Sequence, residues 1–182
     1  MGAVVITGVP GVGKSTVINA AKEHTGYEVV VYGDEMIKVA MAQGLAKDRD
    51  EMRRLDPTVQ RRIQEAAAEA IAARGGVIVD THCTIKTPKG YLPGLPEWVA
   101  RKLQLKQIIL VEATPEEIVQ RRLNDPTRKR DADAVEVVAE HQAMNRIMAM
   151  SVAVLTGATV QIIKNHEGRV EETRNAIIKA LA

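Results

Sequence analysis

Met1-Gly-Ala-Val-Val-Ile-Thr-Gly-Val-Pro-Gly-Val-Gly-Lys-Ser15 opens the chain, and its reading decides the fold. Val4-Val5-Ile6-Thr7 is a short apolar, β-branched run of the kind that forms a buried strand. It runs into Gly8-Val9-Pro10-Gly11-Val12-Gly13-Lys14-Ser15, which matches G-x-x-x-x-G-K-[ST] residue for residue. Val17, Ile18 and Ala21 then recur at helical spacing. The residue types follow from the chemistry of a polyphosphate: the backbone must wrap it closely and turn N–H groups inward. Glycines at 8, 11 and 13 remove the Cβ atoms in the way and accept positive φ. A helix starting near Gly13 aims its positive end at the anion, Lys14 reaches the β and γ oxygens, and the Ser15 hydroxyl is suited to Mg²⁺. A strand on one side and a helix on the other supply the context this motif requires. The stretch binds a nucleoside triphosphate.

Outward from it, the chain alternates. Tyr27–Tyr32 reads as a second strand, ended by Gly33-Asp34, with Asp34 as N-cap of a helix over 35–41. A charged segment, 47–54, leads to Asp56-Pro57, an N-cap followed by Pro at the first helical position, and a long helix to Arg74. Val77-Ile-Val-Asp80 is a short strand ending in a carboxylate. Residues 81–96, rich in Thr, Pro and Gly, read as a loop. A short helix (97–103), a strand (107–112) and a helix opened by the capping box Thr114-Pro-Glu-Glu117 follow. After a polar interruption at 124–131 come a long helix to Leu155, a fifth strand (159–163) and a last helix (171–181). Such alternation predicts an α/β fold with a five-stranded parallel sheet covered by helices on both faces. The ligand site is then expected at the carboxyl ends of the strands, where Gly8, Asp34 and Asp80 fall.

With 182 residues the chain is expected to form one domain. The net charge of +2, from 25 basic and 23 acidic residues, argues against a general nucleic-acid or membrane surface. No apolar run reaches membrane-spanning length, and the first strand sits where a signal peptide would. A single cysteine, Cys83, cannot form an internal disulfide, so the cytoplasm is the expected compartment. With no Phe, one Trp and three Tyr, the core must be built from aliphatic side chains.

Asp80 is expected to hold Mg²⁺ as the second acidic group of a phosphate-loop enzyme. Between Arg121 and Asp131 five basic residues flank a helix break at Pro126. A segment of that kind suits a lid that folds cations over the γ-phosphate and excludes water, with Arg128 and Arg130 as its preferred pair. Gln142 and Arg146, four apart, share a helix face. Arg53 and Arg54 stand where they can meet the phosphate of a second substrate. The four histidines show no metal-ligand spacing among themselves or with Cys83.

The ensemble resembles the archaeal-type adenylate kinase family. The resemblance rests on Gly8–Thr16, Gly33-Asp34-x-Met36, Arg49–Arg54, Asp80-Thr-His-x-Thr-Ile-Lys-Thr-Pro-x-Gly-Tyr-Leu-Pro-Gly-Leu-Pro96 and Ile109-x-x-Glu112-Ala-Thr-Pro115. Arg121-Arg-Leu, Arg130-Asp131, His141-Gln142-x-x-Asn145-Arg146 and Asn165-His-Glu add to it in the same order along the chain. It implies a P-loop NTPase fold with an AMP-binding helical insertion over about 33–74 and a short, zinc-free lid over about 122–132. It also implies the reaction ATP + AMP ⇌ 2 ADP with Mg²⁺, and a homotrimer. Carried over, it assigns Gly8–Thr16 and Arg121 to ATP, and Asp34, Met36, Arg54 and Gln142 to the acceptor. Lys14, Arg128, Arg130 and Arg146 fall to phosphoryl transfer, and Ser15 and Asp80 to the metal. Two other readings stay open: a kinase for another nucleoside monophosphate or a hydroxyl acceptor, with Asp34 as base, and a non-catalytic ATP-dependent interaction protein.

Overall fold

A computed structural model describes residues 2–124 and 134–182. The phosphate-loop stretch is strand β1 (Val4–Thr7) followed by helix α1 (Lys14–Lys22). Next come β2 (Glu28–Val31), α2 (Tyr32–Ala42), α3 (Arg49–Arg54), α4 (Pro57–Ala72), β3 (Val77–Asp80), β4 (Thr84–Thr87), β5 (Gly90–Pro93) and α5 (Glu97–Lys102). The chain continues through β6 (Gln107–Glu112), α6 (Pro115–Leu123), α7 (Val135–Thr156), β7 (Thr159–Lys164) and α8 (Val170–Leu181). Five strands form one parallel sheet in the order β2-β3-β1-β6-β7. From β1 the chain first fills one side of the sheet and then crosses to the other, which puts a topological switch beside β1.

Alternation along the strands builds two cores. Val5, Val79, Ile108 and Leu110 point to the face covered by α4 (Ala67, Ala68, Ile71), α5 (Val99, Leu103) and α7 (Ala149, Val152). Val4, Ile6, Ile78, Ile109 and Val111 point to the other, covered by α1 (Val17, Ile18), α6 (Ile118) and α8 (Ile177). Aliphatic side chains fill both. The largest fully buried side chains are all Ile or Leu.

The structure departs from the sequence reading in three places. Residues 81–96 are not all loop: β4 and β5 form an antiparallel hairpin, with Ile85 opposite Leu92 and Lys86 opposite Tyr91. Its strands are too short to show alternation, and the tight turn is closed by Thr87 Oγ1 donating to Gly90 O at 2.8 Å. Second, α2 begins at Tyr32, with Val31 at the cap, so Asp34 lies inside the first turn and caps nothing. The ladder explains this: β3 ends at Asp80 opposite Val31, leaving Tyr32 no partner strand. Buried Tyr32 instead donates its hydroxyl to Gln64 O at 2.7 Å. Third, the charged 47–54 segment contains a helix, α3, because Asp48 accepts from the Asp50 and Glu51 amides at 2.8 Å and Met52 is buried. The Asp56 cap of α4 and the capping box of α6 form as their sequences dictate.

Candidate active site

Gly8 to Gly13 leave the carboxyl end of β1 and close onto α1. Gly11 and Gly13 adopt φ of +88° and +86°, a region that side chains with a Cβ avoid. Gly8 is required for a different reason. A Cβ there would sit 2.6 Å from Val111 O and 2.9 Å from Val12 Cγ1, so the close approach is to β6 rather than to a ligand.

Lys14, on the first turn of α1, reaches across to the end of β3. Its ammonium donates to Asp80 Oδ1 and, at 2.9 Å, to Thr81 O. The parallel register carries Asp80 there, since it pairs with Ile6 one residue short of the end of β1. Buried Thr7 ties the same two strand ends together by accepting the Cys83 N–H at 2.9 Å. Ser15 is exposed on the first turn of α1. The Ser15 hydroxyl and the Asp80 carboxylate are hard oxygen donors, a set whose chemistry fits Mg²⁺. Among the described residues no cluster of three or more His, Cys, Asp or Glu suits a metal held by protein alone.

Arg121 comes in from α6. Its guanidinium donates to Val12 O at 3.1 Å and Asn165 O at 2.9 Å, and meets Glu167 at 3.0 Å. Gln142 and Arg146 do share a face of α7, and both meet the carboxyl end of β6. Gln142 brackets Ala113, donating to its carbonyl at 3.1 Å and accepting from its amide at 3.4 Å. Arg146 forms a bidentate pair with Glu112 at 2.7 and 2.5 Å, and Lys164 reaches the same carboxylate at 2.7 Å. Burial of Glu112 alone would raise its pKa, but the Arg146 and Lys164 bonds outweigh it and hold the group below the usual carboxylate value. The same pairing raises the pKa of Arg146.

The other assigned residues lie apart from this cluster. Asp34, in the first turn of α2, is ion-paired with Arg49 at the start of α3, Met36 is half-buried between two core clusters, and Arg54 is exposed at the end of α3. Arg128 and Arg130, with most of the expected lid, lie outside the described residues.

Sequence reasoning gave no individual role to Glu112, Lys164, Asn165 or Arg122, although all but Lys164 fall in stretches that carry the family resemblance. A signal existed for Glu112: it ends a strand in a carboxylate just as Asp80 does. Asn165 and Arg122 act on backbone carbonyls of the phosphate loop, at Val12 (2.8 Å) and Pro10 (2.9 Å). No residue pattern announces such a contact.

Comparison with known proteins bears on this geometry. A family model described as an AAA domain matches residues 7–139. The chain is 52% identical to the adenylate kinase of Methanopyrus kandleri, over 98% of this chain and 96% of that one. It is 49% identical to the adenylate kinases of Thermoplasma acidophilum and Methanocaldococcus jannaschii, each over 98% of this chain and 97% of theirs. Among solved structures, a shikimate kinase from Acinetobacter baumannii aligns with a TM-score of 0.58 at 14% identity, over 100% of this chain and 93% of that chain. A gluconokinase from Sinorhizobium meliloti aligns at 0.52 and 17%, over 99% and 91%. At such identities these two show a shared fold.

Proposed function

That this chain belongs to the adenylate kinase family is the premise from which we propose how its residues catalyse ATP + AMP ⇌ 2 ADP. The observation that carries the reading is the junction of Lys14 with Asp80 beside the phosphate loop, at the switch point of the sheet. We assign Gly8–Thr16 and Arg121 to ATP, and Asp34, Met36, Arg54 and Gln142 to AMP. The whole chain acts as one kinase domain, with its acceptor arm over about 33–74 and its lid over about 122–132.

The Lys14 ammonium rests on Asp80 and Thr81 O. ATP offers it the β and γ oxygens, and the exchange frees the Asp80 carboxylate. Ser15 and Asp80 would hold Mg²⁺, which when bound supplies neutralisation of charge on the β- and γ-phosphates. The AMP phosphate is already ionised at neutral pH, so no strong general base is needed. One of its oxygens forms the new bond to the γ-phosphorus in line as the bond to the β-bridging oxygen breaks. Catalysis is positioning plus charge neutralisation, from Lys14 and from Arg128, Arg130 and Arg146. Arg146 must exchange part of its Glu112 pairing to take part. Asp34, the candidate base for a hydroxyl acceptor, is engaged by Arg49.

Two wider assignments belong to the same proposal. The cytoplasm suits the single buried cysteine; among the described residues, no helix is long and apolar enough to cross a membrane. A homotrimer is supported by α7, where Ile147, Met150 and Val154 are 59%, 54% and 81% exposed at 3–4 residue spacing. Presenting ATP with AMP, other nucleoside monophosphates and shikimate-like alcohols in a coupled assay tests the acceptor. ADP should form with AMP, and two adenosines joined by five phosphates should bind far more tightly than either nucleotide. Turnover with an alcohol but not with AMP refutes the acceptor assignment.

A further inference from the structure

The phosphate loop must present N–H groups to an anion, and in a trans peptide the N–H points opposite to the carbonyl of the preceding residue. Whatever holds a loop carbonyl outward therefore aims the next N–H inward. Two alternate carbonyls are held in this way. Pro10 O accepts from Arg122 Nε at 2.9 Å, which sets the amide of Gly11. Val12 O accepts from Asn165 Nδ2 at 2.8 Å and from Arg121 at 3.1 Å, which sets the amide of Gly13. These two glycines are also the positive-φ residues of the loop.

We propose that Asn165 and Arg122 are positioning residues that hold the phosphate loop in its anion-binding form before ATP arrives. Both are buried, at 3% and 5% exposure. Asn165 is itself fixed. Its backbone N–H donates to Glu112 O at 2.6 Å, and its Oδ1 lies 3.2 Å from Thr173 Oγ1, a hydroxyl shared with Lys164 O at 3.0 Å and Arg169 O at 3.1 Å. With the oxygen on the Thr173 side, the NH₂ end faces Val12 O. Contact is tight enough that a Cβ on Gly13 would lie 2.6 Å from Asn165 Nδ2, so this glycine makes room for the clamp as well as for φ. Strand β7 and helix α8 thereby act on a loop that lies far from them in sequence. An unclamped loop would have to order its peptides on binding, and that cost would appear in ATP affinity.

The proposal rests on the phosphate loop being the ATP seat, so ATP binding by the unmodified protein is measured first; its absence overturns that seat and not the clamp. Asn165→Asp keeps the shape but turns a donor into an acceptor facing a carbonyl. Loss of one buried hydrogen bond plus that repulsion should raise Kd and KM for ATP by about 10- to 100-fold. KM for AMP at saturating ATP should stay within about twofold, since uncoupled sites do not share the cost. Thr173→Val, which preserves core volume and removes the hydroxyl shared among Asn165 Oδ1, Lys164 O and Arg169 O, should move ATP affinity in the same direction by a smaller factor. Arg122→Lys, which retains a donor, should bind ATP better than Arg122→Met. Unchanged ATP affinity in Asn165→Asp overturns the proposal. So does a parallel rise of both KM values with a lowered Tm, which would mark a residue that merely stabilises the fold. Should Asn165→Asp not fold, Thr173→Val and the Arg122 pair decide in the same way.

Discussion

Replacing Glu112 by Gln removes one negative charge from the end of β6 and leaves its shape and one acceptor oxygen. The wild-type carboxylate is almost fully enclosed, with its side chain 3% exposed, and takes three cationic hydrogen bonds at 2.5–2.7 Å. Charge-assisted bonds contribute about 1.5–3 kcal/mol each. Arg146 and Lys164, however, are 49% and 48% exposed, so water recovers much of what they lose. The net cost of Glu112→Gln is therefore about 1–2 kcal/mol, a fall in Tm of roughly 2–8 °C for a chain of this size. The pH dependence supplies the sharper test. Because Glu112 has a lowered pKa in the folded protein, its contribution is complete above the ordinary value of 4.5 and is lost as pH falls through the folded value. Wild type and variant should differ most near pH 7 and begin to converge below pH 4.5, fully so below the folded value, where the protonated carboxyl resembles the amide. Thermal and urea unfolding across that range measure the difference. A gap that stays constant to pH 3.5, or no gap at pH 7, refutes the charge argument.

Lys14→Ala should cut turnover by about 10²–10⁴-fold while the fold survives, and near-normal turnover would remove Lys14 from the mechanism. Val154→Asp should yield a monomer by light scattering if α7 is a subunit contact; a wild-type mass of 19.8 kDa at micromolar concentration ends that idea. Burial pushes the Cys83 thiol up to about 12, so thiol reagents should modify it only after unfolding; rapid labelling of the native protein would contradict its buried position. Glu117, held down to about 2 chiefly by the Glu167 N–H and secondarily by His166 and Thr114, should keep these contacts above pH 4.5 and lose them toward pH 2. Titration of its carboxyl by NMR at the ordinary value of 4.5 would disprove that.

The sheet was legible because each of its strands is a short β-branched run closed by a punctuating residue, and because helical periods separate them. Signals that name their own partner also read correctly. Asp56-Pro57 and Thr114-Pro-Glu-Glu117 satisfy helix amides within one turn of themselves, so tertiary context cannot override them. Asp34 shows the opposite case. It has the right chemistry for a cap, but where β2 ends is set by the length of β3, a strand more than forty residues away. The β4–β5 hairpin escaped notice because four-residue strands interrupted by Pro and Gly carry no measurable period.

Within the site, legibility followed the nature of each partner. Side chains with phosphate- or metal-binding chemistry reveal themselves by type and spacing, as Lys14 and Asp80 do. Side chains that meet backbone do not, since every residue has the same carbonyl to offer. Arg121 illustrates the difference: the family resemblance assigns it to ATP, while its visible partners are the backbone oxygens Val12 O and Asn165 O. It thus joins Arg122 and Asn165 in gripping the outside of the loop whose inside receives phosphate. A cation held against the loop adds positive potential near an anion seated there without needing direct contact. The order Arg121-Arg122 on α6 then has a physical reason. Successive residues on a helix diverge by about 100°, enough for the pair to reach carbonyls two residues apart in the loop, at Val12 and Pro10.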